Sequence, residues 1–539
     1  MCPGAPVLAK LWAMKFFAVC ALALSALTAC AAPAPTRLPP ATQTEIERLL
    51  RHPGLQDGRV GVAITALGEA KSPAQFPARP YDGGAQPLLF GRDETKRFTP
   101  ASNFKLLTAA WVLKTLGPNA RFETQVLGAD AEFINESAWP ATEKTPTVVT
   151  LIGGGDPSLS GADLSDLARQ TLASVEGSDK GFWIVRAQDS PAGALLNAEF
   201  GGRRYPDGWT LDDALWYYGP PVTGLAINRN QVDVTVTGAS NAGDLAMTHS
   251  DPVAPFQIFS TAITVPKGDP RAGQLQWDRG DAASPLGPSL WLRGFIGAGE
   301  SATEGIAVPD PQEWARTQFA AALKSGGGHI AEVGGYTTKT ARVLATHQSP
   351  PLKVLLRQFL KQSDNLYGEM LLRRAGATLE NDAPLPPGVS IGSTGLANRA
   401  HRDLAVWLHQ NGVPTQGLNF SDGSGLSRYD LVTPLALARL LGVVQKLDGG
   451  ADLYNALPIA GVDGTLKNRF KGSAAQGNLH AKTGTFSITN CLTGYVTTRD
   501  GQRLAVSILT NFVEDGELAR RWQGRVMATL ANASWGKSG

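Results

Sequence analysis

The stretch Thr99-Pro100-Ala101-Ser102-Asn103-Phe104-Lys105-Leu106-Leu107 opens a helical pattern that runs from Phe104 to Leu116, with Leu106, Leu107, Ala110, Val112 and Leu113 apolar. Ser102 and Lys105 stand at i and i+3, so hydroxyl and amine share one helical face. A serine is a poor nucleophile until a base takes its proton, and a lysine can be that base when desolvation or a second cation lowers its pKa. Free backbone N–H groups at the helix start favour a developing oxyanion. Alone the pattern is weak: Ser-x-x-Lys recurs at Ser534/Lys537, and Lys-Ser-Gly occurs at Lys324 and Lys537.

Two more motifs follow in order. Ser363-Asp364-Asn365 lies between two helical stretches of the mostly helical run from Leu352 to Leu372, and offers a hydroxyl for proton relay and an amide for a substrate carbonyl. Lys482-Thr483-Gly484-Thr485 opens a strand-like run. It offers a cation for an anionic substrate end, hydroxyls, and a glycine that lets substrate backbone approach closely. A peptide lying along that strand would be bound by edge addition.

The ordered set Ser-x-x-Lys, Ser-Asp-Asn and Lys-Thr-Gly resembles the signature of class A β-lactamases and penicillin-binding proteins. Ser363 lies 261 positions after Ser102, a gap that must hold extra domains. The chain therefore resembles the class C low-molecular-mass penicillin-binding proteins, the D-alanyl-D-alanine carboxypeptidase/endopeptidases. Gly153-Gly154-Gly155-Asp156-Pro157-Ser158-Leu159, Tyr217-Tyr218-Gly219-Pro220-Pro221-Val222 ahead of Asn230, Asp422-Gly423-Ser424-Gly425-Leu426-Ser427-Arg428 and Gly464-Thr465-Leu466-Lys467-Asn468-Arg469-Phe470 are similar to stretches of that family. The likeness runs from about residue 45 to 530.

The resemblance implies roles. Ser102 would be acylated and Lys105 would be its general base. Ser363 would relay a proton to the leaving group, and Asn365 would bind the acyl-side amide. Lys482, Thr483 and Thr485 would hold the terminal carboxylate, with Gly484 between them. The N–H groups of Ser102 and Thr485 would form the oxyanion hole. Asp213, or Asp212 beside it, and Arg428 would reach a diamino-acid side chain, since an Asp–Arg pair suits a zwitterionic end. Two positions depart from the family pattern: Asp430 stands where Asn is frequent, and Thr210-Leu211 replaces an aromatic-containing pair. Both bear on fine specificity rather than on the chemistry.

Other features read as structural. The triple glycine at Gly153–Gly155 lacks the Gly-Lys-[Ser/Thr] ending of a phosphate loop and is a turn. Asp422 to Ser424 is a turn near the site. Trp209, Trp216, Tyr217 and Tyr218 read as packing residues.

At the N-terminus, Lys10 and Lys15 precede an apolar run from Phe16 to Leu27, too short for a spanning helix and suited to a signal peptide. Leu27-Thr28-Ala29-Cys30 resembles a bacterial lipobox, with Cys30 the residue to be lipidated; ordinary cleavage near Ala29–Ala34 is the alternative. Met14 makes a tidier start than Met1. Of four cysteines, Cys2 and Cys20 leave with the signal, and Cys491 in an apolar stretch reads as a buried strand thiol. The expected localisation is periplasmic or cell-envelope.

The 539 residues carry 49 basic and 47 acidic side chains, so no electrostatic footprint points to nucleic acid. Seven histidines without His-Glu-x-x-His spacing, and no Cys-x-x-Cys, predict neither metal nor cofactor. With 60 glycines and 36 prolines, many turns and short strands are expected, concentrated between about 125 and 325.

The resulting expectation is an α+β fold: a penicillin-binding/β-lactamase-like transpeptidase domain, an antiparallel sheet flanked by helices, split by a large β-rich insertion. Residues 1–30 are the signal peptide, 31–43 a linker, 44–125 and 326–535 the serine DD-peptidase domain, and 126–325 the insertion. The expected partners are peptidoglycan stem peptides with D-Ala-D-Ala termini or cross-links, β-lactams as inhibitors, and a lipid anchor. The alternatives are a β-lactamase, for which no general-base Glu is identifiable, and a non-catalytic peptidoglycan-binding lipoprotein.

Overall fold

The computed structural model describes residues 35–79, 86–135, 139–140, 143, 145–174, 181–188, 200, 202–280, 288–338, 340–380 and 382–536. The signal segment, Cys30 and Lys537 lie outside them.

The central sheet is assembled from both ends of the chain. Its strands are β1 (Arg59–Glu69), β2 (Leu88–Arg92), β3 (His480–Phe486), β4 (Thr489–Thr497) and β5 (Gln502–Asn511), in the order β3-β4-β5-β1-β2. Every pairing is antiparallel. Side chains alternate across a strand, and β4 shows both destinations. Cys491 and Tyr495 join a core with helix α2 (Lys105–Leu116), while Leu492 and Val496 join a second core with α1 (Pro40–Leu50) and α7 (Gly516–Ala531). A sheet covered on both faces explains why β4 and β5 read as unbroken apolar runs.

Helix α2 buries nine consecutive residues, Lys105 to Leu113, in the larger core. A helix apolar all round belongs inside. It packs against α3 (Leu352–Lys361), α4 (Asn365–Gly376), α5 (Gly395–Gln410) and α6 (Pro434–Val444). The two helical stretches expected on either side of Ser363 are α3 and α4, and the chain breaks between them at Ser363, whose φ is +60°. Asp364 then caps α4, its carboxylate accepting from Tyr367 N at 3.2 Å. Helix α5 was not singled out in the sequence, where its apolar residues are spaced among arginines and histidines.

The inserted region contains a six-stranded sheet in which the long strand Glu123–Phe133 pairs with Thr147–Ile152, Tyr336–Thr338 and Arg342–Gln348. This sheet draws strands from residues 123–133 and 336–348, so it reaches across both expected insertion boundaries, 126 and 325. The short return strands Tyr336–Thr338 and Arg342–Gln348 carry no composition change to mark that edge. Helices Gly161–Ala173 and Pro311–Ser325 cover this sheet through Leu164, Leu167, Trp314 and Phe319. The first of them interrupts a region read as strands and turns, although its Ser160/Asp163 capping box is visible in the sequence. Two smaller sheets, one built on Gln231–Thr237 and one on Ser289–Gly297, complete the region. Among the described residues no helix is long and apolar enough to cross a membrane.

Candidate active site

Ser102 lies in a short 3₁₀ turn, Ala101–Phe104, that runs directly into α2. That geometry brings Lys105 Nζ to 3.0 Å from Ser102 Oγ. The same ammonium donates to Asn365 Oδ1 at 2.5 Å and to Ser424 O at 2.7 Å. The three motifs converge: Lys482 Nζ lies 2.9 Å from Ser363 Oγ, and Asn365 Nδ2 donates to Tyr218 O at 2.7 Å. Ser102, Ser363, Asn365 and Thr485 line one cleft of about 940 Å³, and β3, the edge strand of the sheet, forms one wall of it. Thr483 Oγ1 is 2.8 Å from Thr465 Oγ1 on the cleft's rim.

Gly484 is needed for a reason other than the expected one. A Cβ there would sit 2.6 Å from Pro100 O and 3.0 Å from Ser102 N. The backbone that approaches it is the chain's own turn carrying Ser102, whose position against β3 depends on the missing side chain.

Both lysines are fully buried. Burial pushes Lys105 down to about 8, against the pull of Asp422, Asp364, Glu369 and Asp430 towards the charged form. Burial and the charge of Lys105 push Lys482 well below its ordinary value. Burial thus opposes the charge expected at Lys482, and an anion entering beside it would favour that charge.

Behind Lys105 sits the Asp422–Arg428 turn. The buried Asp422 carboxylate accepts from Ser424 N, Gly425 N, Ser427 N, Ser424 Oγ and Trp209 Nε1 at 2.6–3.0 Å. That turn fixes Ser424 O on the lysine. Burial alone would raise Asp422, but hydrogen bonds from Asp430, Trp209 and the backbone outweigh it and hold the carboxyl below the usual range. Burial, with Asp422 beside it, raises Asp430 well above that range. A protonated Asp430 donates to Asp422 as an asparagine amide would, which accounts for the departure at this position. Trp209 is therefore a hydrogen-bonding strut between the inserted region and this turn, not a packing residue alone.

Of the two candidate aspartates it is Asp213 that turns inward: it is buried and ion-paired with Arg428, whose Nη2 lies 3.1 Å from Asp213 Oδ1. Asp212 is exposed. The Arg428 guanidinium lies 4.8 Å from the ring centroid of Phe486 at the end of β3. Tyr217 and Tyr218, expected to pack, line the cleft instead. Their place in the family-like stretch Tyr217–Val222, close in sequence to Asp213, could have signalled this. Cys491 is a buried strand thiol pushed up to about 12 by burial, and it is not nucleophilic. Among the described residues no cluster of His, Cys, Asp and Glu could hold a metal ion.

The family model described as D-Ala-D-Ala carboxypeptidase 3 (S13) matches residues 82–532. The chain belongs to this family. It is 30% identical over 489 residues to a D-alanyl-D-alanine carboxypeptidase of Actinomadura sp., covering 87% of this chain and 80% of that relative. It is 26% identical to a penicillin-sensitive carboxypeptidase A of Dictyostelium discoideum, covering 76% of each. Its fold is that of penicillin binding protein 4 from Haemophilus influenzae, with a TM-score of 0.68 at 20% identity, covering 90% of this chain and 97% of that structure. Like its family, the chain is a serine-type D-alanyl-D-alanine carboxypeptidase.

Proposed function

We propose that Ser102 is the nucleophile of this DD-peptidase and that the three motifs divide the work of one acyl transfer. The contact between Lys105 Nζ and Ser102 Oγ at 3.0 Å carries the assignment. Lys105, kept partly neutral by burial, takes the hydroxyl proton as Oγ attacks the carbonyl of the penultimate D-alanine. The N–H groups of Ser102 and Thr485 stabilise the oxyanion. The C–N bond then breaks, and a proton reaches the leaving amine through Lys482 and Ser363, which are already hydrogen-bonded. The Ser102 ester is hydrolysed by water, which returns the hydroxyl.

The substrate lies along the open edge of β3, where main-chain hydrogen bonds position it. Asn365 holds the acyl-side amide, and Lys482, Thr483 and Thr485 hold the terminal carboxylate. Asp213 and Arg428 take the zwitterionic end of a diamino-acid side chain. β-Lactams enter the same cleft and stop at the ester. Digestion of monomeric and cross-linked muropeptides, with products identified by mass, tests this reading: release of D-alanine or of monomers supports it, and intact muropeptides with a folded enzyme contradict it.

We propose further that the chain is exported and anchored by a lipid on Cys30. The lipobox-like Leu27-Thr28-Ala29-Cys30 supports this. Cys30→Ala should move the protein from the membrane pellet to the soluble periplasmic fraction; an unchanged distribution contradicts the anchor.

A further inference from the structure

Asn228, Arg229 and Asn230 are three successive non-glycine residues with left-handed backbone, at φ +47°, +59° and +54°. Such strain persists only where the surroundings over-determine it, and it gathers at functional positions. Both asparagines are tied down. Gly161 N donates to Asn228 Oδ1 at 3.1 Å, and the buried Asn230 Nδ2 donates to Pro221 O at 3.0 Å and to Thr223 Oγ1 at 3.3 Å. Asn230 O accepts from Val308 N at 2.8 Å. The residue held between them is Arg229, whose side chain lines the catalytic cleft and is 38% exposed.

Arg229 Nη1 lies 3.5 Å from Asp364 Oδ2, and Asp364 stands between Ser363 and Asn365. A guanidinium carries five donors in a planar fork, so this single loose contact leaves a carboxylate-binding edge over. Its place along the cleft follows from β3. Ser363 hydrogen-bonds Lys482, while Arg428 lies over Phe486. Those two strand residues are four positions apart, roughly 13 Å along an extended chain. Arg428 therefore stands towards the Phe486 end of β3, the acyl end in the reading above, and Arg229 stands beside the Ser363–Asn365 turn, whose Ser363 reaches Lys482 at the other end of that strand.

We propose that Arg229 is a specificity residue that binds a carboxylate of the leaving peptide, and so favours cross-linked substrates over release of a single D-alanine. A lone D-alanine carries one carboxylate, which Lys482 and Thr483 meet. The acceptor stem of a cross-link carries others farther from the scissile bond, within reach of a long side chain beside Ser363. The proposal rests on the DD-peptidase reading above.

The test compares kcat/KM for a cross-linked muropeptide dimer with kcat/KM for a monomeric pentapeptide, alongside the rate of acylation by benzylpenicillin. Arg229→Gln should lower the dimer-to-monomer ratio by about tenfold, the size expected for one charge-assisted pair. A ratio unchanged from wild type, or a fall shared equally by benzylpenicillin acylation, overturns the proposal, because Arg229 would then merely support Asp364. A second arm uses the unaltered enzyme and so does not depend on the variant folding. Amidating the carboxylates of the acceptor stem should cost the dimer about the same tenfold, and an unchanged rate overturns the proposal. Wild-type enzyme that neither acts on the monomer nor takes up benzylpenicillin would instead contradict the DD-peptidase reading.

Discussion

Lys105 Nζ sits 3.0 Å from Ser102 Oγ with no solvent around the lysine, and that burial holds its pKa at about 8. In the mechanism proposed above the neutral amine is the base, and the neutral form predominates above that value. Acylation should therefore rise with pH along a limb with an apparent pKa near 8. Stopped-flow acylation by a chromogenic cephalosporin between pH 6 and 9.5 reads this directly. Lys105→Arg, which stays protonated throughout, should abolish the limb and slow acylation by about 10³-fold or more.

The Asp422–Asp430 pair makes a stability prediction with a definite sign. Asp430 is protonated in the folded state and ionised in the unfolded chain at neutral pH, so the unfolded state binds fewer protons. Its contribution is fully present below the unfolded carboxyl pKa of about 3.9 and is lost as pH rises towards the raised folded value. Asp430→Asn supplies the same donor without that loss. It should gain roughly 1 kcal/mol or more over wild type on going from pH 5 to pH 8, read by urea unfolding. Asp430→Ala, which leaves Asp422 short of a donor, should lose stability at both pH values.

Gly484→Ala should disturb the turn that carries Ser102, whose backbone nitrogen the new Cβ would meet at 3.0 Å. The new methyl meets Pro100 O at 2.6 Å and Asn103 Nδ2 at 2.8 Å. Overpacking of this kind costs about 1–3 kcal/mol, and it displaces Ser102 relative to Thr485. Thermal unfolding should show a modest loss, while penicillin acylation should fall by about a hundredfold, since small misplacements of reacting groups carry that cost.

Asp213 and Arg428 should act as one unit. Removing either leaves the other without its partner at the cleft wall. Asp213→Ala and Arg428→Ala should each lower kcat/KM by about 10–100-fold for substrates with a zwitterionic diamino-acid side chain, and the double variant should be little worse. Substrates with an uncharged side chain should separate the three far less. The measurement is a double-mutant cycle on paired synthetic peptides.

The sequence carried most of the site because its chemistry is concentrated in short motifs. Ser102/Lys105, Ser363/Asn365 and Lys482–Thr485 converge in one cleft, as their order and context predict. The strands at both chain ends were legible because apolar runs such as 491–496 and 504–510 are buried on both faces. What escaped depends on contacts between segments distant in sequence. No local pattern links Trp209 to Asp422 across more than two hundred residues, or places Tyr217 in the cleft rather than in a core. No local pattern shows that Arg342–Gln348 returns to pair with Glu123–Phe133 from far along the chain. Asp430 looked like a departure until burial beside Asp422 made it a donor.

The central claim is that Ser102 forms the acyl-enzyme, and covalent labelling by a fluorescent penicillin tests it most directly. The wild-type chain should take up one label, located by peptide mass on Ser102, and Ser102→Ala should take up none while remaining folded. Equal labelling of the two proteins, or an unlabelled folded wild type, would contradict it.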